Sequence, residues 1–256
     1  MTRAGTLPTV LTGVFVAILD FFIVNVAIPT TQRDLHAGPA AVEWVVAGYA
    51  LAYGSGLVLG GRLGDVFGRR RMFALGLALF TLASVACGLA PDVGSLVAAR
   101  VVQGAAAAVL APQVLAVIRT AYSGAAQARA VNAYALTMGL AAVFGQLVGG
   151  LLIQADLFGL GWRACFLINV PIGAAALAVT WRTVPESRAA GAVRLDLGGG
   201  RPGHARAGGH AAAADRGPRA GVAGVDLGVV RPGRRAAAGL RPAAARLAAD
   251  RPRPVP

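Results

Sequence analysis

The sequence predicts an all-α membrane protein: six transmembrane helices followed by a low-complexity tail. Three observations carry that expectation. Six apolar runs, each of roughly 18 residues or more, fill the first 190 positions, and runs of that length cross the hydrocarbon core of a bilayer. Only 14% of residues are charged, against about a quarter in a soluble domain. All 24 basic residues are Arg, and within the apolar part they gather on one side once the runs are drawn as spans.

The spans are about 7–28, 42–59, 72–90, 95–118, 131–153 and 164–184. Residues 1–190 then form one transmembrane domain and 191–256 the tail. With the N-terminus inside, Arg3, the Arg62–Arg71 cluster, Arg119, Arg129, Arg182, Arg188 and Arg194 lie on the cytoplasmic side. Only Arg33 and Arg163 fall outside. Cytoplasmic loops carry the positive excess, so both termini are expected in the cytoplasm of a multi-pass plasma-membrane protein. The first run is too long for the apolar core of a signal peptide and is read as a retained span.

Span 1 holds Asp20, with Asn25 further along it. An Asp at mid-helix costs roughly 2.5–3.5 kcal/mol on insertion scales. Asp20 therefore marks a pathway or proton site, or else an acid paired quietly inside the bundle. Span 2 opens on Glu43 and Trp44, the latter suited to a membrane interface, and carries Tyr49 as a pocket or packing residue.

Between spans 2 and 3 runs Gly61-Arg62-Leu63-Gly64-Asp65-Val66-Phe67-Gly68-Arg69-Arg70-Arg71, read as a tight cytoplasmic connection. Its glycines permit backbone shapes that a Cβ would block. Asp65 and Arg69 stand four apart, so on a helical turn they share a face.

In span 4, Arg100, Gly104 and Ala108 recur every four residues, with Gln103 beside them. Small residues at that spacing let helices approach closely. Asp20 lies about 20 Å in from the inner start of span 1, and Arg100 about 8 Å in from the outer start of span 4. In a core of about 30 Å those depths agree to within a few ångströms, so the two can approach each other. Burial and a neighbouring Arg act on a carboxylate in opposite senses, which suits a group that loads and releases a proton. The bland alternative is a fixed ion pair.

Span 5 repeats the small-residue spacing with Ala141, Gly145 and Gly149, Gly150 adjoining, and Gln146 as a polar candidate. Span 6 follows Gly161-Trp162-Arg163 and holds Asn169 two residues before Pro171. Asn169 either makes a polar contact inside the bundle or bonds the backbone carbonyl that the proline frees.

These motifs together resemble one family. The Gly61–Arg71 stretch resembles the signature loop between helices 2 and 3 of the major facilitator superfamily, with Val66 where a second basic residue is common. Leu19–Pro29 resembles the helix-1 motif of its QacA/EmrB-type drug:proton antiporters, with Phe22 in place of Thr and Ile28 in place of Leu. The Arg100-x-x-Gln103-Gly104-x-x-x-Ala108 pattern is similar to the superfamily's helix-4 motif. Span 5 resembles the antiporters' helix-5 motif in degraded form, with Gln146 for Pro, Ala141 for Gly and Asn132 for the leading Gly. Gly161–Gly173 resembles their stretch into helix 6.

The resemblance covers about residues 7–198. It implies the N-terminal six-helix half of a secondary transporter, built from two three-helix repeats. It also implies proton-coupled multidrug efflux by alternating access, driven by the proton gradient without a cofactor. Asp20 and Arg100 would handle protons. Gly61, Arg62, Gly64, Asp65, Gly68, Arg69 and Arg70 would form a conformational switch. Gly104, Ala108, Ala141, Gly145, Gly149 and Gly150 would form packing seams. Asn25, Tyr49, Gln103, Gln146 and Asn169 would be candidates for the pocket of a small hydrophobic or cationic compound. The lipid bilayer is the other partner. The family's second half supplies the other wall of the pathway, so this chain reads as a truncated copy that does not export alone. The exception would be a homodimer, for which the span-5 seam offers a contact face. The alternative is a non-transporting half-bundle acting as an interaction module.

Of the net charge of +13, residues 199–256 contribute +8, from 11 Arg and 3 Asp. That segment uses only Arg, Pro, Gly, His, Ala, Asp, Val and Leu, as GC-rich DNA read out of frame would give. Arg and Pro interrupt every apolar run, so it is expected to be disordered. It has no aromatics for base stacking, and nucleic acid is not an expected partner. Cys87 and Cys165 lie in apolar runs, and the three His have no ligand-like spacing. No metal site and no nucleophile–base set is expected, so the chain does not read as an enzyme.

Overall fold

The computed structural model describes residues 5–188, and the tail expected at 191–256 lies outside the described residues. The secondary structure of the described residues is helical. The elements are α1 (Thr6–Asp34), α2 (Pro39–Phe67), α3 (Arg69–Gly88), α4 (Val93–Ala121) and α5 (Gly124–Ala155). Two single turns follow, Leu157–Gly159 and Gly161–Arg163, and then α6 (Ala164–Leu167) and α7 (Asn169–Thr183). Among the described residues, six helical segments are long and apolar enough to cross a membrane, the last being Gly161–Thr183.

Most of the helices outrun the apolar stretches that announce them. Polar residues at the ends, such as Arg62 and Asp65 on α2 and Gln127 and Arg129 on α5, lie on helix that continues beyond the apolar run. The connection between spans 2 and 3 is correspondingly shorter than expected. Gly61–Phe67 is the last part of α2, Arg69–Arg71 is the first turn of α3, and Gly68 alone joins them. Gly68 has φ +106°, a conformation that side chains with a Cβ rarely adopt.

α4 starts on a capping box. Asp92 accepts from the Ser95 N–H at 2.9 Å, and the Ser95 hydroxyl faces the Asp92 N–H in return. The Ser95 N–H holds the Asp92 carboxyl below its ordinary 3.8. The break between α6 and α7 has a simpler cause. Pro171 has no N–H to give the Leu167 carbonyl, and Ile168 keeps right-handed helical dihedrals across the break.

α4 packs between α2 and α3, α1 packs on α5, and α7 lies on α3 and α1. Exchanging the first three spans with the last three turns the α4–α2 pair into the α1–α5 pair, as two three-helix repeats require. Both pairs are sealed by glycines. A Cβ at Gly60 of α2 would fall on the Ala108 carbonyl oxygen, and one at Gly64 on the Gln113 side chain. Ala108 is the residue whose carbonyl Pro112 deprives of a helical partner, and the close approach of Gly60 covers it. On α5, a Cβ at Gly145 would lie 2.9 Å from the Leu19 carbonyl oxygen, and one at Gly149 would lie 2.8 Å from Ile23 Cγ1.

The seams differ from expectation in two respects. Gly150 faces open space, and a Cβ added there would meet no atom within 4 Å, because one helical step turns it about 100° away from Gly149. The span-5 seam is also taken up inside the molecule against α1, so it offers no contact face to a second copy.

The apolar core has two clusters. One gathers Val10, Val14, Phe73, Phe80, Leu110 and Val114. The other gathers Ile23, Val24, Leu96, Trp162 and Phe166. Between them, at matching heights on four spans, lies a layer of polar side chains.

Candidate functional site

The polar layer is built from one residue or two per helix. α1 supplies Asp20, α3 Ser84, α4 Arg100 and Gln103, and α7 Asn169, and each is 0% exposed. Each reaches the layer by sitting on the buried stripe of its helix. Arg100 and Gln103 are three apart on α4, so both side chains point the same way.

Arg100 Nη1 donates to Asp20 Oδ2 at 2.5 Å and to Gln103 Oε1 at 2.7 Å. Its Nε donates to the Val45 carbonyl at 3.1 Å. The guanidinium lies 4.1 Å from the centroid of the Tyr49 ring and 5.8 Å from that of Phe166, within cation–π range. The Tyr49 hydroxyl is fastened in turn to the Ala17 carbonyl at 3.2 Å.

The other carboxylate oxygen, Asp20 Oδ1, accepts from Gln103 Nε2 at 2.9 Å and from Asn169 Nδ2 at 2.7 Å. Both amides also donate to Ser84 Oγ, at 2.7 Å and 3.3 Å. Cys87 Sγ approaches Gln103 Oε1 at 3.5 Å. Gln103 thus uses both of its donors and receives two. Asn169 Oδ1 and Arg100 Nη2 are buried without a hydrogen-bond partner.

Chemically, this is an ion pair held out of water. Taking two charges into a low-dielectric interior costs several kcal/mol per ion, which good geometry and extra hydrogen bonds offset. Donors aimed at a carboxylate favour its ionised form, while burial favours the neutral one. The arrangement can therefore hold a charge pair or, with modest change around it, a neutral acid.

At one end of the bundle, the Gly68 turn is clasped by the segment that follows α7. Glu186 Oε1 accepts from the Arg70 backbone N–H at 3.2 Å, and Glu186 Oε2 lies 3.8 Å and 3.7 Å from Arg70 and Arg71 Nε. The carboxylate thereby caps the N-terminus of α3, where the helix dipole favours negative charge. The Arg69 N–H donates to the Ser187 carbonyl at 3.0 Å. Arg69 Nη2 meets Asp65 Oδ1 at 2.9 Å across the turn. Arg62 is exposed. At the opposite end, Asp34 Oδ2 accepts from Trp162 Nε1 at 2.8 Å and Arg163 Nη1 at 2.6 Å. Arg163 Nη2 donates on to the Ala90 carbonyl at 3.3 Å.

A family model described as Major Facilitator Superfamily matches residues 10–248. The chain belongs to the major facilitator superfamily. It is similar to a probable actinorhodin transporter of Streptomyces coelicolor, 41% identical over 197 residues, which are 77% of this chain and 34% of the relative. It is 43% identical over 195 residues to puromycin resistance protein pur8 of Streptomyces alboniger, covering 75% of this chain and 38% of that one. Multidrug resistance protein Stp of Mycobacterium tuberculosis is 39% identical over 202 residues, covering 78% and 37%. The chain thus spans between a third and two fifths of the length of these relatives.

Among solved structures, a bacterial homolog of the human lysosomal transporter Spinster, inward-facing and occupied, superposes with TM-score 0.62 at 22% identity, over 70% of this chain and 44% of that one. The xylose transporter XylE from E. coli, inward open, gives 0.59 at 18%, over 71% and 48%. At those identities the likeness is one of fold. Membership in a transporter superfamily sets the chain apart from enzymes and puts its six spans in a membrane.

Within this superfamily member, the expected site residues divide. Asp20 and Arg100 are in direct contact, as their depths suggest. Gln103 and Asn169, two of the expected pocket candidates, stand in the polar layer, and Tyr49, a third, lies against it with its ring beside Arg100. Asn169 bonds Asp20 and Ser84 rather than the carbonyl freed by Pro171. Asn25 is exposed and donates to the Phe21 and Phe22 carbonyls of its own helix, and Gln146 is exposed on α5. Gly104 packs on the Tyr49 backbone and Ala108 on Gly56 and Gly60, while Ala141 is fully buried in the cluster shared with α1.

Sequence reading passes over Ser84, Asp34 and Glu186, and takes Cys87 only as an apolar residue. Ser84 has a signal. It sits four residues after Phe80 and three before Cys87, on the stripe that also carries Phe73 and Leu77. Glu186 has none, since the arginines it meets are 115 residues or more away in sequence.

Proposed function

We propose that residues 5–188 form the proton-coupling half of an efflux transporter, with Asp20 as the group that exchanges the proton. The observation that carries this is the fully buried Asp20–Arg100 pair with Gln103 and Asn169 closing the second carboxylate oxygen. A membrane helix tolerates such an acid only where it is paired, and such acids mark ion and proton paths. Relatives named for export of or resistance to antibiotics support an outward transport reading.

In the cycle we envisage, protonation of Asp20 weakens its hold on Arg100 and frees the pair to rearrange. Deprotonation restores the contact as the bundle tilts to the other side of the membrane. The proton gradient supplies the energy, and no cofactor enters. The Gly61–Arg71 turn, clasped by Glu186, acts as the conformational switch at the cytoplasmic end. The arginine asymmetry supports a plasma-membrane topology with both termini cytoplasmic. Small hydrophobic or cationic compounds are the substrate class, moving between this half and a second six-helix half.

The test joins residues 1–188 to the C-terminal half of an antibiotic-exporting relative and measures proton-driven efflux of a fluorescent cation in everted vesicles. Asp20→Asn should abolish the proton-driven part at unchanged protein level, and Asp20→Glu should keep a measurable share. Undiminished coupling in Asp20→Asn would move the proton site elsewhere.

A further inference from the structure

The two amides that bind Asp20 Oδ1 are not held in place by the carboxylate alone. A side-chain amide can present either its NH₂ or its oxygen, and the wrong face toward a carboxylate is repulsive. Gln103 is fixed from both ends. Its oxygen faces Arg100 Nη1 at 2.7 Å and Cys87 Sγ at 3.5 Å, and its nitrogen donates to Asp20 and Ser84. Asn169 has no such anchor on its oxygen, which is buried without a hydrogen-bond partner. What holds its NH₂ toward Asp20, other than Asp20 itself, is the Ser84 hydroxyl oxygen.

Ser84 thus stands behind both amides, on a helix that contributes no charge to the layer. We infer that Ser84 is a positioning residue: its hydroxyl keeps the NH₂ groups of Gln103 and Asn169 turned toward Asp20 and so sets how readily that carboxylate exchanges its proton. The inference rests on the proton-exchange reading of Asp20 given above.

The geometry also says what happens without the hydroxyl. Two amide N–H groups lose an acceptor in a layer closed to water, and the Asn169 amide gains freedom to rotate. Rotated, it would offer Oδ1 to Asp20, which suits a protonated carboxyl that donates and opposes an ionised one. The balance at Asp20 then depends on fewer fixed donors. The other ionisable groups that feel its charge are Arg100 on α4, Tyr49 on α2, Cys87 on α3 and Cys165 on α6. α5 meets α1 here through Ala141, Gly145 and Gly149, none of them ionisable.

The experiment is pH-difference infrared spectroscopy on the full 256-residue chain reconstituted in lipid, following the carboxylic C=O band that Asp20→Asn removes. Ser84→Ala, and separately the nearly isosteric Ser84→Cys, should each move the pH midpoint of that band by roughly half to one unit, the scale of one modest hydrogen bond. Ser84→Thr, which keeps the hydroxyl, should leave the midpoint within about a quarter of a unit of wild type. A merely structural serine would change the melting temperature of the variants but not this midpoint.

Unshifted midpoints in Ser84→Ala and Ser84→Cys, with the band still titrating, would overturn the role of Ser84 and leave that of Asp20 standing. The absence of any titrating Asp20 band in the wild-type chain would overturn both. If Ser84→Ala does not fold, Ser84→Cys against Ser84→Thr decides alone.

Discussion

Gly60→Ala should destabilise the bundle while Gly61→Ala, one residue along, should not. The Gly60 Cβ would fall on the Ala108 carbonyl oxygen, 2.9 Å from its carbon and 3.0 Å from Val109 Cα. All three are backbone atoms, so no side chain can swing away, and α2 and α4 must separate. Overpacking of this kind costs about 1–3 kcal/mol. Separation also stretches the 2.8 Å bond from Gln113 Nε2 to the Gly60 carbonyl, adding about 1 kcal/mol. Against this stands a gain of up to about 1 kcal/mol from replacing a helical glycine. The net loss is about 1–3 kcal/mol. At Gly61 the nearest atom to a new Cβ is Pro112 Cβ at 3.8 Å, an ordinary contact, so only the helix-propensity gain remains. Equilibrium unfolding of the purified chain in mixed micelles, followed by tryptophan fluorescence, measures both. Equal stability of the two variants, or a more stable Gly60→Ala, would refute the idea that backbone contact seals this pair.

Asp20→Leu and Arg100→Met should each cost about 3–5 kcal/mol, because each strands a buried partner, and the double variant should cost less than either alone. Additive losses in the same unfolding assay would show that the pair is not coupled. Glu186→Gln should loosen the first turn of α3, where the carboxylate caps the Arg70 N–H. Amide exchange there should speed up by several-fold, consistent with a partly exposed charge worth about 1 kcal/mol, and unchanged protection at Arg70 would count against the clasp.

The spans and the acid–base pair were legible because their signals are local or depend on one coordinate. An apolar run shows in sequence, and depth along a helix follows from a fixed rise per residue. Asp20 and Arg100 could therefore be matched by height without knowing the packing. What depth cannot supply is rotation about the helix axis. Gly149 and Gly150 are equally small and adjacent, yet one abuts Ile23 and the other faces open space. Rotation also separates Asn25, exposed on α1, from Asp20, buried on the same helix. The glycine row on α2 was readable in principle, since Gly56, Gly60 and Gly64 repeat at the spacing noticed on α4 and α5. Glu186 was not, because a clasp between remote segments leaves no periodicity.

The kinds of contact in this half-bundle differ by place, and the difference bears on how a proton could move it. The α2–α4 and α1–α5 pairs meet through glycines, against backbone at Gly60, Gly104 and Gly145 and against side chains at Gly64 and Gly149. The layer around Asp20 joins α1, α3, α4 and α7 through side chains: a guanidinium, two amides, a hydroxyl and a carboxylate. In the cycle proposed above, adding a proton to Asp20 would change hydrogen bonding in that layer, while Gly60 and Gly145, which take no part in it, keep their backbone contacts. The seams should therefore keep each pair rigid while the layer rearranges. The strain of protonation in the proposed cycle would be delivered between α1 and its partners α4 and α7, and through Arg100 to Val45 and Tyr49 of α2. In that cycle, motion would take the form of small shifts between two sealed pairs, the kind of discrete repacking that a close-packed interior allows.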